Sequence, residues 1–126
     1  MTKTSQNPKI LAVLDDLFFS SKIRETAKAI GLDVEFIKNT NGLTQKLQNK
    51  KPSLVIFDLN SKLTSPLETI KELKSSPDLK DVTVLGYLSH VQTGLKEESA
   101  KAGCDLVLPR SKFSKELKEI LLKYLI

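Results

Sequence analysis

A doubly wound α/β fold, with five parallel strands and helices on both faces, is the architecture this sequence predicts. Three features predict it. Apolar runs of strand length alternate five times with segments of helical period. The central runs are apolar throughout rather than alternating, as a strand covered on both faces requires. Right-handed crossovers then leave the open, doubly wound sheet as the natural way to join parallel strands.

Taken in order, Ile10-Leu11-Ala12-Val13-Leu14 is the first buried strand. Ile23, Ala27 and Ile30 fall on one helical face, and Gly31 is a stop signal. Val34-Glu35-Phe36-Ile37 is short and partly alternating, the pattern of an edge strand. Leu43 and Leu47 mark a short second helix, and Leu54-Val55-Ile56-Phe57 is a fully buried third strand. Pro66 suits the first turn of a third helix, with Leu67, Ile70 and Leu73 inward. The fourth strand spans Val82 to Leu88. The fourth helix, about Thr93 to Ala102, offers only Leu95, Ala100 and Ala102 to a core before it stops at Gly103. Leu106-Val107-Leu108 is a short fifth strand. The last helix carries Leu117, Ile120, Leu121 and Tyr124 on one stripe, after an N-cap at Ser114.

The 126 residues are read as one domain, and a hydrophobic fraction of 40% supports a single core. No apolar stretch approaches the ~20 residues that span a bilayer, so no membrane association is expected. Met1 to Pro8 is polar and shows no secretory signal. Cys104 is the single cysteine and forms no internal disulfide, which together with the missing signal points to a reducing cytoplasm. A net charge of +5 raises the question of nucleic acid. The lysines, however, are spread from Lys3 to Lys123 among 15 acidic residues rather than gathered on one groove-reading element, which argues against it.

In such folds the site lies at the carboxyl ends of the strands. The first strand runs into Asp15 and Asp16, the third into Asp58, the fourth into Ser89 and His90, and the fifth into Pro109, Arg110, Ser111 and Lys112. Three carboxylates in one place repel and drift up in pKa unless a cation joins them. Magnesium answers that need, since it takes one or two carboxylates, keeps waters and accepts phosphate oxygens. Ser89 and Arg110 are placed to hold the remaining oxygens of a phosphoryl group.

These strand ends resemble those of the receiver domains of two-component response regulators. Lys101-Ala102-Gly103-Cys104-Asp105 is likewise similar to that family's turn before the last strand. The resemblance runs from Lys9 to about Leu125. It implies a flavodoxin-like, receiver-type fold and a single-domain response regulator, residues 1-126, with no output domain. It implies that Asp58 accepts a phosphoryl group from a histidine kinase or histidine phosphotransfer protein, with Mg2+ as cofactor. Asp16 is then the direct metal ligand, Asp15 its water-mediated neighbour, and Asn60 a ligand through its backbone carbonyl. Ser89 is the switch hydroxyl. A downstream protein target is implied. The chain is expected to be a phosphoacceptor rather than an enzyme, limited to self-phosphorylation from a donor and slow self-dephosphorylation.

The chain departs from the family pattern at several points. No Lys-Pro pair follows the fifth strand. Counting along the strand puts Arg110 in the lysine position, whereas counting back from Phe113 points to Ser111 with Lys112 beside it, so Lys112 stands behind Arg110 as a fallback. Arginine offers a planar fork in place of a flexible ammonium. The fifth strand lacks an aromatic residue, His90 stands where a small residue is usual, and the loop after Asp58 lacks a Met-Pro turn.

Other readings compete. Asp15 or Asp16 could simply cap the first helix, and Asp58 could be a turn residue. One of Phe18 and Phe19 is expected in the core and the other exposed. Cys104 reads as buried filler, and Lys115, Lys118 and Lys123 as a solvated face. A phosphorylation-independent interaction module on the same fold is the alternative function. A flavin carrier would need a phosphate-cradling loop after the first strand, where this chain has Asp15-Asp16-Leu17-Phe18-Phe19. A haloacid-dehalogenase-type phosphatase would need an aspartate at position 60, which is asparagine.

Overall fold

The computed structural model describes residues 10–89 and 92–124. Ten elements alternate along the chain: β1 (Ile10–Val13), α1 (Leu17–Ala29), β2 (Val34–Ile37), α2 (Leu43–Asn49), β3 (Leu54–Asp58), α3 (Pro66–Ser75), β4 (Thr83–Leu88), α4 (Thr93–Ala102), β5 (Leu106–Pro109) and α5 (Arg110–Leu122). The strands form one sheet in the order β2-β1-β3-β4-β5, every pairing parallel. The expected fold class is therefore what the chain adopts, with β2 on an edge.

Because side chains alternate across a strand, the apolar runs feed two cores at once. Ile10, Ala12, Leu54, Ile56, Leu85 and Tyr87 pack against Phe19, Ile23 and Ala27 of α1 and Phe113, Leu117 and Leu121 of α5. Leu11, Val13, Val55, Phe57 and Val84 pack on the other face against α2, α3 and α4. Every residue of β1 and β3 is buried, which explains why those runs show no polar alternation.

Two sequence expectations need correction. Ser114 does not cap α5: the helix begins four residues earlier, at Arg110, directly after Pro109. The apolar stripe starts a turn sooner than read, because fully buried Phe113 is its first member. In α4, Ala100 points to solvent, and Ser99 joins Ala102 on the buried side. A buried serine in place of an alkyl group leaves α4 with little apolar anchorage.

The end of the sheet away from the site is held by Lys74, whose ammonium donates to the Lys80 carbonyl (3.0 Å), the Val82 carbonyl (2.7 Å) and Asp105 Oδ2 (2.9 Å). The Val84 N–H donates to the same Asp105 oxygen at 2.8 Å. One side chain thus fixes the end of α3, the start of β4 and the turn into β5.

Candidate functional site

Leu14 extends β1 by donating its N–H to Ile37 O at 3.1 Å, and the chain then turns through Asp15 and Asp16 into α1. Asp16 caps that helix: its Oδ1 accepts the N–H groups of Phe18 at 2.8 Å and Phe19 at 3.3 Å. The capping role weighed from the sequence is thus real for Asp16. It is compatible with metal ligation, because both bonds fall on one oxygen.

Asp58 closes β3 between the ends of β1 and β4 and is 5% exposed. Its Oδ1 accepts the Asn60 N–H at 2.9 Å. Burial pushes its carboxyl above the ordinary range. The Asn60 bond and the Arg110 charge act against that shift, while the charges of Asp16 and Asp15 add to it. All three carboxylates and Arg110 therefore share one electrostatic neighbourhood. Both Arg110 and Lys112 are exposed, but Arg110 acts on the Asp58 charge, lies 5.8 Å from the centre of the Phe19 ring and lines a cavity of about 310 Å³ with Phe18, Phe19, Ser89, Ser111 and Ser114. Between the two cationic candidates, the geometry favours Arg110.

Ser89 follows β4 and is half-buried, and its N–H donates to Asn60 Oδ1 at 3.0 Å. Asn60 Nδ2 donates in turn to Gln92 Oε1. The sequence pointed only to the Asn60 backbone carbonyl, yet its side chain ties the loop after β3 to the loop after β4. Gly86 in β4 makes room for that loop: a Cβ there would lie 2.5 Å from Leu59 Cδ1 and 2.7 Å from Cγ. The Leu59 N–H donates to Tyr87 O at 2.9 Å, so Asp58's neighbour lies flat against β4.

Sequence reasoning passed over Tyr87. It is fully buried, lies opposite Asp58 in the sheet register, stacks on Phe113 at 4.6 Å and packs on Phe19 at 4.9 Å. Its hydroxyl has no hydrogen-bond partner among the described residues. Burial and then the Asp58 charge raise its pKa far above the usual phenol range. In sequence a tyrosine within Val82–Leu88 reads as ordinary core, and no local signal separates it.

Phe19 is buried and Phe18 is 70% exposed, as expected of the pair. Cys104 is buried, and burial pushes its thiol up to about 11. His90 lies outside the described residues. Among the described residues, no three His, Cys, Asp or Glu side chains form a ready-made metal cluster. The Asp16 and Asp58 carboxylates and the Asn60 carbonyl are hard oxygen donors, the type that suits a hard ion retaining part of its hydration. The unbalanced carboxylate of Asp58 supplies the electrostatic reason for one. A hollow of about 470 Å³ near the opposite end of the sheet, lined by Arg24, Lys28, Asp33 and Phe36 among others, shares none of these residues.

This strand order, with acidic residues in the turn after β1 and at the end of β3, is the arrangement of response-regulator receiver domains, and the resemblance is borne out in sequence and in fold. The chain is 26% identical over 106 residues to the polar-differentiation response regulator DivK of Brucella anthropi, covering 82% of this chain and 85% of DivK. It is 30% identical over 95 residues to response regulator Rcp1 of Synechocystis, covering 68% of this chain and 65% of Rcp1. In fold it matches the phosphorylated cyanobacterial phytochrome response regulator RcpA with a TM-score of 0.79 at 20% identity, over 94% of both chains. It matches the receiver domain of sensor histidine kinase PA1611 from Pseudomonas aeruginosa, a structure with magnesium coordinated in its active-site cleft, with a TM-score of 0.78 at 16% identity, over 94% of this chain and 98% of that one. The Mn2+-bound form of Rcp1 gives 0.74 at 21% identity, over 94% and 95%. No family model matches the chain. No helix among the described residues is long and apolar enough to cross a membrane.

Proposed function

We propose that this chain is a phosphoacceptor of two-component or phosphorelay signalling. Asp58 takes a phosphoryl group from a histidine kinase or histidine phosphotransfer protein, and the modified domain acts on a downstream protein. The observation that carries the reading is Asp58 itself: a buried carboxylate closing a central strand, flanked by Asp15 and Asp16, with Arg110 acting on its charge.

Asp58 attacks phosphorus through a carboxylate oxygen. The new O–P bond forms as the donor's N–P bond breaks, and the bonding pair leaves with the donor imidazole. The Asn60 N–H holds the other side of the carboxylate and orients it for attack. Arg110, the first residue of α5, and the hydroxyl of Ser89, just past β4, receive the phosphoryl oxygens, two donors that line one cavity. Asp16, Asp58 and the Asn60 carbonyl would hold Mg2+, with Asp15 acting through water; when bound, the ion offsets charge on the transferring group. Such a domain performs self-phosphorylation and slow self-dephosphorylation rather than turnover of a substrate.

Incubation with acetyl phosphate and Mg2+, read by intact mass, tests this. One added phosphoryl group is expected, with none on Asp58→Asn. A wild-type chain that never gains the mass would instead support a phosphorylation-independent interaction module.

A further inference from the structure

A buried hydroxyl without a partner is costly, and a phenylalanine would fill the same space without that cost. Tyr87 carries a hydroxyl with no partner among the described residues, and it carries it beside the phosphoacceptor. Its Cα is the register partner of Asp58 across β3 and β4. Its ring lies at the level of the first turns of α1 and α5, stacked on Phe113 at an interplanar angle of 8° and packed on Phe19 at 31°. Arg110 lies on the same Phe19 ring, so the stack runs from the phosphate-binding cation through Phe19 and Tyr87 to α5. Rings packed this closely leave Tyr87 no room to swing out to water, and whatever satisfies its hydroxyl must come to it.

We propose that Tyr87 is a positioning residue for the phosphoacceptor, its hydroxyl donating a hydrogen bond to the side chain of Asp58 once that side chain carries a phosphoryl group. The inference rests on the phosphoacceptor reading of Asp58. The ring packs against both Phe19 and Phe113, which also meet each other at 6.1 Å, so forming this bond draws on the first turns of α1 and α5. The state of Asp58 is thereby felt on the α1–α5 face, where Leu17 and Phe18 stand 72% and 70% exposed.

The chain has two tyrosines, Tyr87 and Tyr124, and no tryptophan, so in Tyr124→Phe all tyrosine emission comes from Tyr87. With Mg2+ and beryllium fluoride as the phosphoryl mimic, that emission should change and saturate, and Asp58→Asn should abolish the response. Fluorine NMR should show Tyr87→Phe binding the mimic about tenfold more weakly, the scale of one hydrogen bond to a charged group. The thermal midpoint of unmodified Tyr87→Phe should stay level or rise. A purely structural tyrosine, already satisfied at rest, would lower it, and that result overturns the proposal, as does an ordered water bonded to Tyr87 Oη in a crystal structure of the resting chain. If wild type takes the mimic but Tyr87 emission stays silent and Tyr87→Phe binds equally well, this inference alone fails. If wild type never takes the mimic, the phosphoacceptor reading fails and this inference falls with it.

Discussion

Gly86→Ala is a one-carbon change whose cost follows from named atoms. The added Cβ would meet Leu59 Cδ1 at 2.5 Å, Cγ at 2.7 Å and Cδ2 at 2.9 Å, all closer than real Cβ atoms come. Leu59 is 4% exposed and packed in the core, so its side chain cannot simply swing away. Overpacking of this kind costs roughly 1–3 kcal/mol. Replacing glycine within a strand returns about 0.5–1 kcal/mol of backbone entropy. The net expectation is a loss of about 1.5 kcal/mol, or a fall in Tm of about 6 °C for a domain of this size. Urea unfolding followed by circular dichroism measures it. The same substitution in a Leu59→Ala background meets none of those three atoms, and there Gly86→Ala should become slightly stabilising. A coupling of about 2 kcal/mol is therefore expected across the cycle. An equal cost in both backgrounds refutes the steric account. Because Leu59 follows Asp58, acetyl phosphate labelling of Gly86→Ala should also slow.

Burial raises the Asp58 carboxyl in the metal-free chain, so its charge opposes folding at neutral pH, and the penalty vanishes below the unfolded value near 3.8. Asp58→Asn should therefore raise Tm in chelator at pH 7, and the advantage should shrink as pH falls through the raised folded value toward 3.8; an advantage constant with pH contradicts the assignment. Calorimetric titration should find Asp16→Asn severely impaired in Mg2+ binding and Asn60→Ala close to wild type, since in the proposed site Asn60 would contribute only its backbone carbonyl. Asn60→Ala should nonetheless cost about 1 kcal/mol or more in urea unfolding, because the Ser89 N–H and the Gln92 carbonyl lose their partner. Cys104, with its thiol pushed up to about 11, should react with a disulfide reagent at pH 8 only after unfolding, and prompt reaction of the native chain would contradict its burial.

The strands were legible because burial on both faces leaves no polar residue in Ile10–Val13 or Leu54–Phe57, a pattern with few other readings. The placement of the strand-end residues followed, since parallel topology sends Asp15, Asp16, Asp58, Ser89 and Arg110 to one rim whatever the loops do. Features set by long-range contact were not legible. Phe113 was a landmark in the sequence and turned out to be the first buried turn of α5. Ser99 looked polar and Ala100 apolar, yet the rotation of α4 puts the serine inside. The Asn60 side chain meets partners 29 and 32 residues away, and Tyr87 meets rings from both ends of the chain. Nothing in the neighbouring sequence announces either.

Helix α4 is attached unequally at its two ends. Its C-terminal end is pinned, with Gly103 and Cys104 N–H groups returned to Ala100 and Ser99 and the next residue, Asp105, gripped by Lys74 and Val84. Its N-terminal end is held through Gln92, which touches both Ser89 and Asn60. Between them the helix buries only Ser99 and Ala102. It is therefore a lever with a fixed pivot at the far rim and its loaded end at the acidic rim. Ten residues make it about 15 Å long, so a displacement of about 2 Å at Gln92 becomes a tilt of about 8°. The middle of the helix, around Glu97 and Glu98, moves half as far as its loaded end, and the turn into β5 hardly moves at all.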